Sequence, residues 1–324
     1  MSSKVLLTRT IPSEPQKFLE SAKDIELIQW KEKSVIPREK LLEMVKGVDG
    51  ILCMLTDKID SELLDAAGPN LKVVSTLSVG YDHVDLNELR KRSIPLGYTP
   101  GVLTDATAEI TVMLVLAAAR RMREGIRAVE NGEWGKWNPT WMLGTQLTNK
   151  TVGIFGLGRI GSATALRLKP FIGNEGKIIY CSRTEKPEAA SIGVIKVDFD
   201  VLLRDSDVIC ICSAMNEETN EMFNYEVFKK MKKNVILVNT ARGNIIRQKD
   251  LCRALSEGMF GSVGLDVCTP EPLDPNDPLL KFNKVTVIPH LGSATLETRT
   301  LMGNIAVKNV LTGVRGEPLP HSVK

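Results

Sequence analysis

The chain has 324 residues, a length that corresponds to about two domains. Hydrophobic residues make up 43% of the chain and charged residues 25%, a globular composition that excludes disordered and fibrous architectures. The net charge is only +3, so nothing in it favours binding to nucleic acid or to a membrane surface. The longest apolar run, Met113–Ala119, is much shorter than a bilayer span, and the amino terminus lacks a signal-peptide pattern.

The six cysteines form no Cys-x-x-Cys pair, and most of them lie inside apolar runs. This placement predicts buried free thiols, which are typical of a reducing compartment, so we expect a cytoplasmic protein. The chain has only three histidines and no clustered carboxylate–histidine motif, and we therefore predict no metal site.

Short apolar runs alternate with helical patterns along the whole chain, which is typical of an α/β fold with parallel sheets. In the first hundred residues the predicted strands are Lys4–Thr8, Ile25–Gln29, Gly50–Leu55, Lys72–Thr76 and Ile94–Tyr98. The stretches between them that have a helical pattern are Glu14–Ala22, Pro37–Val45 and Ser61–Ala67.

The segment Thr104–Arg123 is predicted to form one long helix. Thr104 or Asp105 can cap its start, and three arginines near its end match the preference of a helix carboxyl terminus for cations. Its middle is apolar nearly all round, so we expect it to be buried between layers, at a domain junction or at a subunit interface. Three of the four tryptophans follow between Trp134 and Trp141, in a loop that either packs on its own domain or forms a dimer contact.

A second alternating series begins at residue 151, and its unbroken apolar runs indicate strands that helices cover on both faces. The predicted strands are Thr151–Phe155, Lys177–Cys181, Val194–Val197, Asp207–Cys212, Asn234–Asn239, Ser262–Asp266 and Val285–Ile288. The tail is helical again over Thr295–Leu311.

A glycine-rich loop provides the strongest local signal, in the stretch Val152–Gly161. It follows a predicted strand rich in β-branched residues, and a predicted helix, Arg159–Lys169, begins within it. This is the context of a dinucleotide-binding turn. Gly156 would make the tight turn, Gly158 would let the backbone approach a pyrophosphate, and Gly161 would let helix and strand pack closely. A helix amino terminus also favours a phosphate.

The end of the second strand of this unit indicates which dinucleotide is bound. An acidic residue there would bind the ribose 2′-hydroxyl of NAD, but Cys181 stands at that position and Ser182, Arg183 and Thr184 follow. An arginine between two hydroxyls is suited to a 2′-phosphate, so we predict NADP(H). The alternative is an ordinary solvated arginine.

Three polar residues follow apolar strands, at the sheet edge where α/β proteins bind their ligands: Arg242, Glu271 and His290. Each alone has a structural explanation, as a salt-bridged arginine, a solvated glutamate or a hydrogen-bonded histidine. Together, downstream of a dinucleotide loop, they supply a cation for a carboxylate, a proton donor and an acidic partner for that donor.

The motifs as an ordered set resemble those of the D-isomer-specific 2-hydroxyacid dehydrogenases. The matching stretches are Val152–Gly161, Asn239–Gly243, Gly264–Leu273 and Pro289–Thr295, and the resemblance covers essentially the whole chain. Within this family the chain most resembles the glyoxylate/hydroxypyruvate reductases of the eukaryotic type. The stretches that carry this closer likeness are Leu77–His83, Gly97–Pro100, Trp134–Leu143 and Val314–Pro320.

The resemblance implies a role for each catalytic position. Arg242 would bind the carboxylate and carbonyl oxygen of a 2-oxo acid, His290 would protonate the carbonyl oxygen, and Glu271 would hold that imidazole. The backbone N–H groups of Val79 and Gly80 would hold the substrate carboxylate. The remaining implied positions are Ser293 near the substrate, Thr240, Asp266 and Gly292 beside the nicotinamide, Gly158, Arg159 and Ile160 beside the pyrophosphate, and Trp141 reaching the active site of a dimer partner.

The family layout implies two doubly wound parallel-sheet domains, a Rossmann NADP-binding domain at 104–294 inserted into a flavodoxin-like substrate domain at 1–103 and 295–324. The implied activity is NADPH-dependent reduction of glyoxylate to glycolate and of hydroxypyruvate to D-glycerate by a homodimer. One alternative is another dehydrogenase of the family, for D-lactate or 3-phosphoglycerate, although a phosphorylated substrate would need a basic cluster near Val79–Tyr81 that the sequence lacks. The other is a dinucleotide-sensing transcriptional corepressor on the same scaffold.

Overall fold

The computed structural model describes residues 2–187 and 189–323. The strands in chain order are β1 (Ser3–Leu7), β2 (Ile25–Gln29), β3 (Gly50–Cys53), β4 (Val73–Thr76), β5 (Leu96–Gly97), β6 (Thr151–Phe155), β7 (Lys177–Cys181), β8 (Ile195–Lys196), β9 (Val208–Ile211), β10 (Val235–Asn239), β11 (Phe260–Leu265) and β12 (Val285–Val287). The helices are α1 (Ser13–Glu20), α2 (Arg38–Met44), α3 (Ser61–Ala67), α4 (Leu86–Lys91), α5 (Thr104–Ala119), α6 (Met122–Glu130), α7 (Arg159–Ile172), α8 (Ala189–Ile192), α9 (Phe199–Asp205), α10 (Tyr225–Lys229), α11 (Gln248–Ser256) and α12 (Leu296–Val314).

The chain divides into two compact units, one made of Met1–Leu103 with Ala294–Lys324 and the other of Thr104–Ser293. The first unit has a five-stranded sheet in the order β2-β1-β3-β4-β5, and the second a seven-stranded sheet in the order β12-β11-β10-β9-β6-β7-β8. All pairings inside both sheets are parallel. The prediction of two doubly wound parallel-sheet units is therefore confirmed.

The apolar runs form strands because helices cover both faces of each sheet. In the second unit β9 and β10 are buried along their whole length, and their side chains divide between two hydrophobic clusters, one on each face. In the first unit β3 and β4 are buried in the same way, and α12 returns from the end of the chain to pack against them. Each strand lies at or near a run predicted from the sequence, with boundaries that differ by a few residues.

The prediction of one helix over Thr104–Arg123 is wrong. The helix α5 ends at Ala119, the backbone at Arg121 adopts a φ of 54°, and α6 begins as a separate helix. The carbonyl of Ala119 accepts a hydrogen bond of 2.8 Å from the N–H of Thr145, a residue far along the chain. The guanidinium of Arg123, predicted to close the helix, donates instead to the carbonyls of Leu280 (2.9 Å) and Val285. Tertiary partners therefore end a helix that the local sequence would continue.

Among the residues described, no helix combines the length and the hydrophobicity that crossing a membrane requires. All six cysteines are free; Cys53, Cys210 and Cys268 are buried and the other three are half-buried. No cluster of three or more His, Cys, Asp or Glu side chains within residues 2–187 and 189–323 could hold a metal ion.

Candidate active site

The three polar residues singled out in the sequence lie at one edge of the seven-stranded sheet. Arg242 follows β10, Glu271 follows β11 and His290 follows β12, and these three strands are neighbours in the sheet. Because parallel strands end at the same edge, the fold gathers residues that are far apart in the sequence.

A short hydrogen bond joins His290 and Glu271. The Nδ1 atom of the imidazole lies 2.7 Å from Oε2 of the carboxylate, while Oε1 accepts a 3.0 Å bond from the backbone N–H of Cys268. Burial alone would raise the pKa of Glu271, but the hydrogen bond and the charge of His290 outweigh it and hold that pKa below its usual value. Glu271 is therefore a carboxylate at neutral pH, and Nε2 is the ring nitrogen with which His290 would reach a substrate.

Asp266 fixes the backbone that carries the imidazole. The residue is only 2% exposed. Its carboxylate accepts hydrogen bonds from the N–H groups of Leu291 (2.5 Å) and Gly292 (2.9 Å), and its carbonyl accepts one from the N–H of His290 (2.9 Å). Burial raises the pKa of Asp266, an effect that the two N–H bonds and the charge of His290 oppose. These bonds offset the strain of the positive φ of His290, 53°, which is unusual for a side chain with a Cβ atom.

The loop that carries Arg242 is held by the last residue of β10. The side chain of Asn239 accepts from the N–H of Ala241 (3.0 Å) and donates to the carbonyl of Arg242 (2.8 Å). A Cβ atom at Gly243 would lie 2.0 Å from the carbonyl oxygen of Cys268, so only glycine lets this loop contact the loop after β11. The charge of Arg242 contributes to the lowered pKa of the nearby carboxylate, Glu271.

A chain of hydroxyl groups connects α5 to the same edge. The hydroxyl of Thr111 donates its one proton to the carbonyl of Thr107 (2.8 Å). The hydroxyl of Thr240 lies 2.8 Å from that of Thr111 and must therefore be the donor in the bond between these two hydroxyls. The hydroxyl of Thr107 donates in turn to the carbonyl of Gly292 (3.1 Å). Sequence reasoning identified Thr240 and Gly292 but missed both helix threonines, because an almost uniformly apolar helix gives no sign of which face meets the sheet edge.

The glycine loop joins β6 to α7, as predicted. Gly156 has a φ of 96°, and a Cβ atom at Gly161 would lie 2.1 Å from the carbonyl oxygen of Gly156, so both positions require glycine. A Cβ atom at Gly158 would meet nothing within 4 Å, which leaves open space beside the helix start. The first turn of α7, with Arg159 and Ile160, has no side-chain cap and no acidic residue. These features fit the pyrophosphate of a dinucleotide, because uncapped N–H groups and a helix dipole favour an anion.

The turn after β7 lies where the ribose of a dinucleotide would be bound. The hydroxyl of Ser182 donates to the carbonyl of Thr184 (2.7 Å), and the Arg183 side chain between them is 80% exposed. An acidic residue is present here after all: the carboxylate of Glu218 lies 3.8 Å from the Arg183 guanidinium. Sequence reasoning missed Glu218 because it belongs to the loop after β9 and not to the turn after β7.

The other predicted positions are distributed over both units. Val79 and Gly80 follow β4 in the first unit, and the hydroxyl of Ser78 donates to the carbonyl of Gly80 (2.6 Å). Ser293 is the last residue of the second unit and directly follows Gly292. Trp141 lies in the segment after α6 with 42% of its surface exposed.

A family described as "D-isomer specific 2-hydroxyacid dehydrogenase, NAD binding domain" matches residues 112–292, more than half of the chain. The chain belongs to this family. It is 46% identical over 322 residues to the glyoxylate reductase/hydroxypyruvate reductase of Mus musculus and to that of Homo sapiens, covering 99% of this chain and 98% of each relative. It is 45% identical to the glyoxylate reductase of Thermococcus litoralis, covering 100% of this chain and 97% of the relative.

Solved structures agree with this assignment. A protein of Thermus thermophilus superimposes with a TM-score of 0.91 at 38% identity, covering 99% of this chain and 100% of the other. A glyoxylate reductase from Paecilomyes thermophila gives 0.87 at 33% identity, with 99% and 98% covered. The D-lactate dehydrogenase of Aquifex aeolicus, complexed with NAD and lactic acid, gives 0.84 at 28% identity, with 97% and 96% covered.

The predicted family, fold class and enzyme class are confirmed by these relatives. This protein is therefore an oxidoreductase that uses a nicotinamide dinucleotide cofactor, since the part of the chain that the family matches is the NAD-binding domain. The relatives with reductase names support an enzyme and give no support to the alternative of a transcriptional corepressor.

Proposed function

We propose that this dehydrogenase reduces glyoxylate to glycolate and hydroxypyruvate to D-glycerate, with NADPH as the reductant. The observation that carries the proposal is the 2.7 Å pair of His290 and Glu271, which shares a sheet edge with Arg242. The mouse and human relatives, named for both reactions, support this choice of substrates.

Reduction of a 2-oxo acid places negative charge on the carbonyl oxygen, so the site must supply a proton and a counter-charge. His290 would donate its proton from Nε2 to that oxygen, and the Glu271 carboxylate would stabilise the charged imidazole before the transfer. Arg242 would bind the substrate carboxylate and polarise the carbonyl group. A reduced nicotinamide, when bound, would supply the hydride to the carbonyl carbon.

We assign the unit Thr104–Ser293 to the cofactor and the other unit to the substrate. The uncapped start of α7 and the open space at Gly158 support the first assignment. In the substrate unit, the backbone N–H groups of Val79 and Gly80 would hold the substrate carboxylate. The further contacts we propose are Thr240, Asp266 and Gly292 with the nicotinamide, Gly156, Gly158, Arg159, Ile160 and Gly161 with the pyrophosphate, and Ser293 with the substrate.

The choice of NADPH rests on Arg183 and its two hydroxyl neighbours, Ser182 and Thr184. Arg183→Ala should weaken NADPH binding by ~1.5–3 kcal/mol, the scale of hydrogen bonds to a charged group, and leave NADH binding nearly unchanged. Initial rates of glyoxylate reduction with each cofactor, for the parent and the variant, measure this difference. Better kinetics with NADH than with NADPH in the parent enzyme would contradict the assignment.

The same assay tests the substrates. Glyoxylate and hydroxypyruvate should give higher kcat/KM values than pyruvate when each is offered with NADPH. If pyruvate is the best of the three, the alternative of a D-lactate dehydrogenase is correct. An absence of turnover with all three acids would contradict the proposed reaction while leaving the family assignment intact.

We further propose that the enzyme is a homodimer. Apolar side chains are exposed along α6 and in the following segment, among them Ile126 (51%), Val129 (58%) and Trp137 (86%), and such a patch is typical of a protein interface. Sedimentation at micromolar concentration should report about twice the chain mass of 35.7 kDa. Trp141→Ala should enlarge the range of accepted substrates without loss of NADPH binding. A monomer with full activity would contradict both expectations.

We place the enzyme in the cytoplasm. Its six cysteines are all free, and two of them, Cys53 and Cys210, are buried inside strands. Free thiols persist in a reducing compartment, which supports this location.

A further inference from the structure

The Arg183–Glu218 ion pair spans the end of the strand that carries the glycine loop. This strand, β6, pairs with β7 on one side and with β9 on the other. Arg183 follows β7 and Glu218 follows β9, so a contact between them must cross the carboxyl end of β6. That is the crevice in which a Rossmann unit binds a dinucleotide.

The backbone beside Glu218 is held by a reciprocal pair of side chains. The N–H of Asn216 donates to the hydroxyl of Thr219 (2.8 Å), and the N–H of Thr219 donates to Oδ1 of Asn216 (3.0 Å). The Thr219 hydroxyl also donates to the carbonyl of Ala214 (2.9 Å), and the residue is only 7% exposed. The backbone that carries Glu218 is therefore an ordered turn, and from it the carboxylate reaches to within 3.8 Å of the Arg183 guanidinium.

The pair itself can open easily. Its side chains are 80% and 72% exposed and their charged atoms are 3.8 Å apart, so water screens most of their attraction. A phosphate carries more charge than a carboxylate, and it can bind the guanidinium through two parallel hydrogen bonds, which Glu218 at 3.8 Å does not make. A 2′-phosphate would therefore replace Glu218 at Arg183, and the carboxylate would remain nearby.

We propose that Glu218 lowers the enzyme's preference for NADPH over NADH by competing with the 2′-phosphate of NADPH for Arg183. This inference rests on the proposed function, in which Arg183 binds that phosphate. With NADPH bound, the displaced carboxylate repels the phosphate. With NADH bound there is no phosphate to repel, and a carboxylate can accept a hydrogen bond from the ribose 2′-hydroxyl. Glu218 thus reduces the difference in binding affinity between NADPH and NADH.

The test is to replace Glu218 by glutamine, which keeps the shape of the side chain and removes its charge. In Glu218→Gln the Kd of NADPH should fall by about 3–10-fold, the scale of one charge removed a few ångströms from a phosphate in water. The Kd of NADH should stay the same or rise. Titration of the dihydronicotinamide fluorescence at low ionic strength measures both constants, and the gain for NADPH should shrink as salt is added.

The matched control is Glu217→Gln, which makes the same change of net charge at the neighbouring exposed position. An equal gain in Glu217→Gln would show a general charge effect and overturn the role of Glu218. If Arg183→Ala weakens NADPH binding but Glu218→Gln does not tighten it, the inference is wrong while the cofactor assignment holds. If Arg183→Ala has no effect on NADPH, the cofactor assignment itself is wrong.

Discussion

His290→Ala is expected to lower kcat for glyoxylate reduction by roughly 10²–10⁴, the usual contribution of a general acid, while NADPH still binds. The variant removes the imidazole. Its Nδ1 atom is hydrogen-bonded to the Glu271 carboxylate, so its Nε2 atom is the one that can give a proton to the carbonyl oxygen. Steady-state kinetics give kcat, and the Kd of NADPH from fluorescence titration separates chemistry from cofactor binding. A loss of less than tenfold would remove His290 from its assigned role.

The pH profile of Glu271→Gln is the control for this role. The lowered pKa of Glu271 keeps it charged across the neutral range, where it stabilises the protonated imidazole by Coulomb attraction. The pairing depends on that charge, so reduction by the parent should fall at acid pH, where Glu271 takes up a proton and its attraction for the imidazole is lost. Glu271→Gln has no carboxylate to titrate, so its profile should lack this acid fall. Identical profiles would falsify the pairing of His290 with Glu271.

Arg242→Ala is expected to lower kcat/KM for glyoxylate by about 10²–10³, the scale of one lost donor to a developing negative charge. Its effect should differ from that of His290→Ala, because Arg242 contacts the substrate both before and during the reaction. The KM should therefore rise while kcat falls. Arg242→Lys should recover only part of the activity, since an ammonium group cannot form two parallel bonds with a carboxylate.

The matched control for Arg242 is Arg247→Ala. Arg247 lies a few residues further along, and its guanidinium forms an exposed ion pair of 2.8 Å with Glu221. Losing that pair should change kcat/KM by less than about twofold, because exposed ion pairs contribute little. Equal losses in both variants would indicate a general effect of charge and contradict a specific substrate contact for Arg242.

Local patterns in the sequence determined the architecture of this enzyme. A strand buried on both faces needs an unbroken apolar run, and such runs predicted the strands of both sheets to within a few residues. The glycine loop was predictable because a tight turn at Gly156 and close packing at Gly161 exclude every side chain larger than hydrogen. The parallel topology then explains why Arg242, Glu271 and His290, each predicted at a strand end, lie at one edge of the sheet.

Only the tertiary structure decided the features that depend on distant partners. The helix that begins at Thr104 ends at Ala119 because the N–H of Thr145 bonds to its last carbonyl, and no local pattern contains that bond. Thr111 lies in an apolar helix and meets Thr240 only because the helix packs on the sheet edge. Glu218 supplies an acidic residue that the end of β7 lacks, from a loop on the far side of β6. Sequence periodicity reports which face of an element is buried, whereas these contacts depend on which elements become neighbours when the chain folds.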